Sequence, residues 1–317
     1  METIFGGTIS PIISIIIVTF NTSALTRICL QSVLADSAGW DAPIEIIVVD
    51  NASTDDTVSM ISRLFPSVRL IVNAENVGYA KACNIGMRAA NGRYLLLLNS
   101  DTQVQPGTLR ALVHFMERHP EAGACGPKLL NEDQSLQPSG RPLPSFWSVA
   151  LGMTRAYRLW KRDLYIQLNR NYDQVASVGE ISGAAIFVRR DVYQRVGGLD
   201  ERFFAYYEDV DWCKRIGEAG YKIYYVPEAR VIHRWRGTSG NLPEEAYSAG
   251  LRSLRYYFAK HHSRAAQMGI QLLLAGKETV MLARAAVQRR WPDLRFHWQM
   301  MQEVFAPITG GDQTRVG

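Results

Sequence analysis

The chain has 317 residues, of which 47% are hydrophobic and 21% are charged, with a formal net charge of +5. This composition is typical of a globular protein of enzyme size with a large core, in one or two domains. It contains no CxxC pair, which argues against zinc or redox chemistry, and we expect its four scattered cysteines to be reduced core residues. The absence of a basic leader and of a small-residue cleavage site argues against a signal peptide and favours a cytoplasmic location.

The first hundred residues contain three apolar segments that each end in polar groups. The segments are Ser14–Asn21, Ile44–Ser53 and Tyr94–Asp101. Short apolar runs of this kind predict strands buried on both faces of a parallel sheet. Helical patterns follow them at Leu25–Val33, after a Thr22-Ser23 cap, and at Thr57–Phe65, and one precedes the third strand at Ala80–Ala90. The alternation predicts right-handed βαβ units in an α/β fold.

Ligands of open α/β sheets lie beyond the carboxyl ends of the strands. Thr19, Asp50 and Asp101 would therefore converge on one edge, where a divalent metal or a charged substrate can be held. For a single strand, an Asn/Ser/Asp turn that merely ends the strand is the simpler interpretation. Because the pattern occurs three times, we favour a site.

The second half of the chain contains a cluster of three acidic residues within four positions: Glu208, Asp209 and Asp211. The pattern predicts a helix over Tyr206–Ala219 with these acids in its first turn, where the helix dipole favours ionised carboxylates. A helix cap would explain one or two of them. The bulky pairs Phe203-Phe204 and Tyr206-Tyr207 before them indicate that a third acid is semi-buried and suited to removing a proton.

A histidine, His233, ends another apolar segment and is followed by Arg234 and Arg236. A lone histidine is usually structural. Here the two arginines and a Gly-Thr-Ser loop would allow the segment to serve a metal and a diphosphate together.

Residues 251–298 contain nine Lys/Arg and two acidic residues, a formal charge of +7, together with many aromatic residues. A basic amphipathic helical region of this kind suits an anionic membrane surface, and a helical cap packed on the core explains it equally well. No recognisable motif supports nucleic-acid binding. The longest uncharged stretch, Ala265–Gly276, is too short to cross a bilayer.

Several ordered motifs between Ser14 and Ser239 resemble those of the inverting family 2 glycosyltransferases of the GT-A fold, and most closely the rhamnosyltransferase-like branch. The resemblance is carried by Ser14–Asn21, Val49–Asp55, Asn76–Gly86, Asn99-Ser100-Asp101, Ser182–Ala185, Gly197–Phe204, Glu208-Asp209 and His233. It implies a mostly parallel, mixed sheet flanked by helices, with residues 1–243 as the catalytic domain and 244–317 as a basic helical extension.

The resemblance also implies site residues. The nucleotide would be bound by Thr19, Asn21, Asp50, Asn76, Gly78, Lys81 and Ser100, with the Asp50 carboxylate accepting a pyrimidine N–H. Asp101 would be the metal ligand of a DxD motif whose first acid is Asn99 here. That departure makes Mn²⁺ or Mg²⁺ more dependent on the diphosphate oxygens, with His233 as a further ligand.

For catalysis, the resemblance implies that Asp209 is the general base and that Glu208 orients the acceptor or the donor sugar, while Asp211 caps the helix. One base suffices for one inversion. Metal together with Arg234 or Arg236 would neutralise the leaving diphosphate. Arg141 and Gly183 are further candidates at the diphosphate or acceptor, and Gln137–Pro142 and Phe146–Tyr172 fall on the acceptor side.

We therefore expect a membrane-peripheral, cytoplasmic glycosyltransferase. It would transfer a sugar, with L-rhamnose from dTDP-rhamnose as a candidate, to a saccharide or polyprenyl-diphosphate-linked saccharide of the cell envelope. A sugar-nucleotide nucleotidyltransferase is an alternative, but its Gly-rich basic loop is missing after the first strand. A Rossmann dehydrogenase is disfavoured because no GxGxxG follows a strand. A catalytically silent module that recruits a glycan-assembly complex remains open.

Overall fold

The computed structural model describes residues 11–40, 43–154, 171–234 and 244–308. The strands are β1 (Ile13–Thr19), β2 (Ile44–Asp50), β3 (Arg69–Val72), β4 (Tyr94–Asn99), β5 (Thr102–Val104), β6 (Ala122–Leu130), β7 (Leu136–Gln137), β8 (Gly140–Arg141), β9 (Ala176–Val178), β10 (Glu180–Ile181), β11 (Ala185–Arg189) and β12 (Lys222–His233). The helices are α1 (Ser23–Ser37), α2 (Thr57–Leu64), α3 (Tyr79–Ala89), α4 (Thr108–Arg118), α5 (Phe146–Thr154), α6 (Arg190–Val196), α7 (Glu208–Glu218), α8 (Glu244–His261), α9 (Arg264–Val287) and α10 (Trp291–Phe305).

The main sheet has the strand order β3-β2-β1-β4-β11-β6-β12-β5. Its first four strands are parallel, whereas β11 runs antiparallel to both β4 and β6. The strand β12 is parallel to β6 and antiparallel to β5. The sheet is therefore mixed and mostly parallel, as the resemblance implied, and the carboxyl ends of β2, β1 and β4 lie side by side.

Helices cover both faces of this sheet, which is why its central strands are apolar throughout. Ile13, Ile15 and Ile17 of β1 belong to one buried cluster, and Ile16 belongs to the cluster on the opposite face. The four cysteines are free and buried, as expected.

The predicted strands and helices are confirmed, with two differences in detail. The helix expected to start at Tyr206 starts at Glu208, because Tyr206 and Tyr207 have left-handed backbones with φ of 66° and 67°. The hydroxyl of Thr22 does not cap α1. It lies instead 3.1 Å from the Ser100 hydroxyl and so ties two loops of the site together.

The C-terminal helices α8, α9 and α10 pack against the part of the chain that forms the sheet and its helices. Their buried residues, Phe258 and Ile270 among them, form one apolar cluster with Phe203 and Val210. No helix within the described ranges is long and apolar enough to span a bilayer.

An ionic network reinforces this packing. Lys260 of α8 lies 2.7 Å from Asp200 and 2.5 Å from Asp211. Asp211 is fully buried and also pairs with His261 and Arg215, so it joins helices rather than capping α7, which corrects the sequence-based role. Burial alone would raise the pKa of Asp211, but these cations hold it below its ordinary value.

Candidate active site

The buried Asp50 carboxylate marks the first part of the site. It lies at the end of β2, opposite Thr19 of β1, and is 0% exposed. Its Oδ2 accepts a 2.9 Å hydrogen bond from the Ser53 N–H, whereas its Oδ1 has no partner among the described residues. A buried carboxylate oxygen without a partner is costly, so this position suits an N–H donor supplied by a ligand.

Asn51 organises the loop that follows β3. Its Oδ1 accepts hydrogen bonds from Asn73 and from the Val77 N–H, and its Nδ2 donates to Asn76 Oδ1 at 2.6 Å. Asn76 Oδ1 in turn accepts from the Gly78 N–H at 3.0 Å. The predicted nucleotide residues Asn76 and Gly78 are thus held beside Asp50 by its sequence neighbour.

Gly78 has a steric reason to be glycine that the sequence did not reveal. Its φ is +82°, and a Cβ there would lie 2.9 Å from the Phe204 carbonyl oxygen and 2.8 Å from the Phe204 ring. The Phe204 carbonyl also accepts from the Tyr79 N–H at 2.9 Å. The close approach at Gly78 therefore joins the nucleotide loop to the loop that precedes α7.

The loop after β1 completes this side of the site. Asn21, with φ of 50°, accepts hydrogen bonds through its Oδ1 from the Thr54 and Asp55 N–H groups and so links the loops after β1 and β2. The buried Thr19 hydroxyl lies 2.9 Å from that of Thr22, which extends the chain of hydroxyls to Ser100.

Two further side chains are candidates for contact with a nucleotide. Phe20 is 44% exposed, one residue beyond the end of β1, so its aromatic face is open for stacking on a planar ligand. Lys81 lies in the first turn of α3 and is partly buried. Lys81 was among the residues predicted from the sequence, whereas Phe20 was not, and its only sequence signal is its place between Thr19 and Asn21.

Asp101 and His233 lie together although they are far apart in the chain. The pairing of β12 with β5 brings His233 opposite Thr102, and His233 Nε2 is 3.4 Å from Asp101 Oδ1. Gln137 Oε1 lies 2.7 Å from His233 Nδ1. With that oxygen as acceptor, the proton is on Nδ1, and Nε2 faces the carboxylate.

This pair fits a divalent cation. Two ligand atoms on one cation lie about 3 Å apart, close to the Asp101–His233 separation. Gln137 fixes the histidine ring in the way that outer-sphere partners of metal ligands do. No group of three or more His, Cys, Asp or Glu residues in the described part of the chain is arranged around a metal. The remaining ligands would therefore be diphosphate oxygens and water.

Asp209 is held rigidly at the start of α7. Its Oδ2 accepts a 2.6 Å hydrogen bond from the Gly183 N–H, and its Oδ1 accepts from the Val210 N–H at 2.8 Å. Gly183 packs tightly here, because a Cβ would lie 3.1 Å from Asp209 Oδ2. Tyr79 donates a 3.1 Å hydrogen bond to the Gly183 carbonyl and fixes this contact from the nucleotide side.

The surroundings raise the pKa of both acids in this pair. Burial raises the pKa of Asp209 above its ordinary value, although the Gly183 and Val210 N–H groups and the Arg141 charge oppose the shift. Burial and the neighbouring Asp209 charge raise the pKa of Glu208 further. Glu208 is 6% exposed, and its Oε2 has no partner within the described ranges. Of the two acids, Glu208 has the more strongly raised pKa, so Asp209 gives up its proton more readily.

The arginine candidates differ in their surroundings. Arg141 lies beside the buried Glu180, at 3.2 Å, and its charge reaches Asp209. Arg234 is ion-paired with Glu132 at 2.7 Å, so a diphosphate would have to compete with that carboxylate. Arg236 lies outside the described residues.

The three aspartates occupy one edge of the sheet. Asp50 and Asp101 follow β2 and β4, the two neighbours of β1. Asp209 is brought to the same edge through two contacts. Its carboxylate is bound by the Gly183 N–H, and the next residue, Ala184, accepts a 3.0 Å hydrogen bond through its carbonyl from the Asn99 N–H at the end of β4. This edge of the sheet therefore carries a buried acceptor at Asp50, the neighbouring Asp101 and His233, and a fixed carboxylate at Asp209.

Residues 14–197 match the model described as glycosyl transferase family 2. The chain belongs to this family. It is 34% identical, over 72% of its length and 78% of the relative's, to the N-acetylglucosaminyl-diphospho-decaprenol L-rhamnosyltransferase of Mycobacterium tuberculosis. This family 2 glycosyltransferase is thus similar to a rhamnosyltransferase, in agreement with the resemblance found in the sequence.

Two solved structures share the fold. A mannosyltransferase from Pyrobaculum calidifontis, in complex with GDP-Man and Mn²⁺, has a TM-score of 0.55 and 19% identity, covering 93% of this chain and 85% of that one. GalNAc-T7 with UDP, GalNAc and Mn²⁺ has the same TM-score and identity, but the match covers 78% of this chain and only 47% of that one. These likenesses establish the GT-A architecture.

The structure adds positioning residues that the sequence analysis missed. Asn51, Tyr79 and Gln137 all lie within motifs or loops named from the sequence, but these roles were not predicted for them. Their signal is spatial, since each acts through a residue on another strand or loop. Only the positioning role of Asn51 could have been suspected from the sequence, because Asn51 is adjacent to Asp50.

Proposed function

We propose that this family 2 glycosyltransferase is an inverting, metal-assisted enzyme that transfers a sugar from a nucleotide sugar to a lipid-linked saccharide of the cell envelope. L-Rhamnose from dTDP-rhamnose is the first donor to test. The acceptor class is supported by the M. tuberculosis relative, whose name specifies an N-acetylglucosaminyl-diphospho-decaprenol substrate. Metal use is supported by the two solved structures that contain Mn²⁺.

The observation that carries the proposal is the Asp209 carboxylate, fixed by two backbone N–H groups and given a raised pKa by burial. A base of this kind accepts the proton of an attacking hydroxyl more readily than an ordinary aspartate. Because a single carboxylate deprotonates the acceptor and no second carboxylate is needed for the leaving group, the arrangement favours one displacement and therefore inversion.

The donor would be held by its nucleotide. The unpaired Asp50 Oδ1 would accept the ring N–H of a pyrimidine, with Phe20 against the base. Asp101 and His233 would hold a divalent cation, which supplies charge neutralisation for the departing diphosphate. Glu208, whose pKa is raised by burial and by the Asp209 charge, would in its protonated form donate a hydrogen bond to a sugar hydroxyl.

A screen of nucleotide sugars by thermal shift, with and without Mn²⁺, tests donor binding, because a ligand that binds only the folded state raises its Tm. The donor that gives the largest shift is then used in a transfer assay with a polyprenyl-diphosphate-linked N-acetylglucosamine. We expect metal-dependent transfer with inversion of the anomeric centre. Retention of configuration, or the absence of turnover with every donor that binds, would contradict the proposal.

The alternatives make different predictions in the same assays. A silent binding module would show no metal-dependent turnover in the wild type or in Asp209→Asn. A nucleotidyltransferase would release pyrophosphate from a nucleoside triphosphate and a sugar phosphate, which a coupled phosphate assay detects.

A further inference from the structure

The outward face of α9 is apolar, which is unusual for a helix on a protein surface. Its inward face buries Ile270 and Leu274 in the C-terminal cluster. Its outward face carries Met268, Leu272, Val280 and Val287, which are 63%, 68%, 66% and 85% exposed. Both sides of the helix are therefore apolar. Among the described residues, the inward side is covered, whereas the outward side is covered near Gly269, where Phe146 of α5 packs, and is open at the four residues named above.

Arginines border this apolar face. At 100° per residue, Arg264 and Arg284 lie roughly 100° to either side of its centre, and both are exposed. Their long side chains can reach along an interface from these edges while the centre stays apolar. An apolar centre with cationic borders is the arrangement of helices that lie in a membrane surface.

A second stripe lies on the next helix, α10. Trp291, Trp298 and Phe305 are 66%, 57% and 59% exposed and recur at seven-residue spacing. Arg295 and Gln302, also exposed, fall between them on the same face. Tryptophan with arginine is the combination found where proteins meet the headgroup region of a bilayer.

The charge around these stripes has one sign. Five arginines are exposed on or between the two helices: Arg264, Arg284, Arg289, Arg290 and Arg295. None of the acids in residues 264–308 is exposed: Glu278 is buried, while Asp293 and Glu303 are partly buried and paired with Arg290 and Arg252. The partner of this surface must therefore be both apolar and anionic.

We propose that the outward faces of α9 and α10 dock on an anionic phospholipid membrane. A second copy of this chain would bring the same positive charge and be repelled. A nucleic acid would satisfy the arginines but not the exposed Leu272 and Val280. A bilayer with anionic headgroups satisfies both, with acyl chains for the apolar centre and phosphates for the arginine borders.

Docking at this surface would orient the catalytic site. Helix α10 is bound to α8 by the Arg255 guanidinium, which donates to the Glu303 and Ala306 carbonyls. Helix α8 in turn holds the loop before α7 through Ser253, which donates to the Ala205 carbonyl at 2.7 Å. The membrane-facing helices are thus connected to the Asp209 segment by hydrogen bonds rather than by a flexible linker.

The test is co-sedimentation of the full chain with vesicles, without any sugar nucleotide, so the result is independent of the proposed reaction. Vesicles of phosphatidylcholine alone are compared with vesicles containing about one third phosphatidylglycerol. We expect binding to the anionic vesicles with a blue shift of tryptophan fluorescence, and weak binding to the neutral ones.

Two triple variants separate the contributions. Arg284→Gln/Arg289→Gln/Arg295→Gln should lower partitioning into anionic vesicles roughly a hundredfold, at about fivefold per arginine. Its control, Arg63→Gln/Arg118→Gln/Arg195→Gln, removes the same charge from exposed positions elsewhere and should leave partitioning within about twofold of wild type.

The apolar variant Leu272→Gln/Val280→Gln/Trp298→Gln should lose binding to both vesicle types. Its control, Leu64→Gln/Val72→Gln/Val175→Gln, changes exposed apolar residues outside the surface and should bind as wild type does. The proposal is overturned if the wild type stays in the supernatant, or if each control loses as much binding as its partner. It is equally overturned if sedimentation velocity shows a dimer that the apolar variant dissociates while vesicles bind neither protein.

Discussion

Replacing Asp209 by asparagine removes one negative charge and little else. The aspartate and asparagine side chains have nearly the same shape, so the tight packing against Gly183 persists. Of the two backbone N–H groups that bind the carboxylate, one would face the new NH₂ group and lose its acceptor. That loss costs about 1–3 kcal/mol. A neutral amide is easier to bury than a carboxylate, which offsets part of that loss, so we expect the variant to fold.

The effect on the reaction should be larger. A positioned general base contributes about 10²–10⁴-fold, so kcat should fall by that factor, equivalent to about 3–5 kcal/mol in the barrier. Binding of the donor depends on Asp50 and on Asp101 with His233, so the donor KM should change little. Because burial raises the pKa of Asp209 and the reaction needs its ionised form, wild-type kcat/KM should rise with pH through a midpoint above the ordinary value of about 3.9.

Initial rates of nucleotide release at saturating donor measure the effect, together with a pH profile of kcat/KM. The matched control is Asp211→Asn, two residues along the same helix, whose carboxylate binds Lys260 and His261 rather than the reacting groups. It should lower Tm and keep kcat near wild type. The reasoning would be refuted if Asp209→Asn retained more than about a tenth of wild-type kcat, or if it kept the acidic limb of the profile.

Four further substitutions test other parts of the site. Asp50→Asn should raise the donor Kd, measured by calorimetry with the nucleoside diphosphate, about 10–100-fold and leave kcat similar; unchanged affinity would remove Asp50 from the nucleotide site. Gln137→Leu should raise the Mn²⁺ concentration for half-maximal activity about 10–100-fold, and an unchanged metal titration would contradict that role. Gly78→Ala should lower the free energy of unfolding by about 2–4 kcal/mol. The control Gly39→Ala, where the backbone is also left-handed but no atom is close, should lower it by about 1 kcal/mol. Equal losses would show that the close contact between Gly78 and Phe204 is unimportant. Lys260→Met should lower the free energy of unfolding, measured in urea, by about 1–3 kcal/mol at pH 7 and by much less near pH 2. The reason is that its partners Asp200 and Asp211 have lowered pKa values, so the stabilisation from the ion pairs is progressively lost as the pH falls below about 4. An equal loss at both pH values would refute the ion-pair account.

Chain order and composition were enough to predict the catalytic fold. The apolar segments that end at Asn21, Ser53 and Asp101 needed no tertiary information, because a strand buried on both faces must be apolar throughout. The polar groups at their ends had to share one edge, since parallel strands align their carboxyl ends. The placement of Thr19, Asp50 and Asp101 at one edge followed from this rule.

The local backbone before Asp209 did not follow from the sequence. Aromatic residues at 206 and 207 fit a helical pattern, yet both adopt left-handed conformations, because the loop is held by Gly78, Tyr79 and the C-terminal helices. Similarly, Asp211 looked like a cap and is a partner of Lys260 on a helix about fifty residues away.

The amino-acid sequence by itself determined where the candidate residues lie in the fold, because Asp50, Asp101, Asp209 and His233 each lie at or next to the end of a strand or the start of a helix whose pattern is local. Tertiary structure alone decided what each of them touches. Three features depend on how distant elements pack: the contact of His233 with Gln137 on β7, the hydrogen bond from the Gly183 N–H to Asp209, and the exposure of the outward face of α9. Side-chain periodicity encodes burial along one element, whereas a contact between two elements is set by the packing of both.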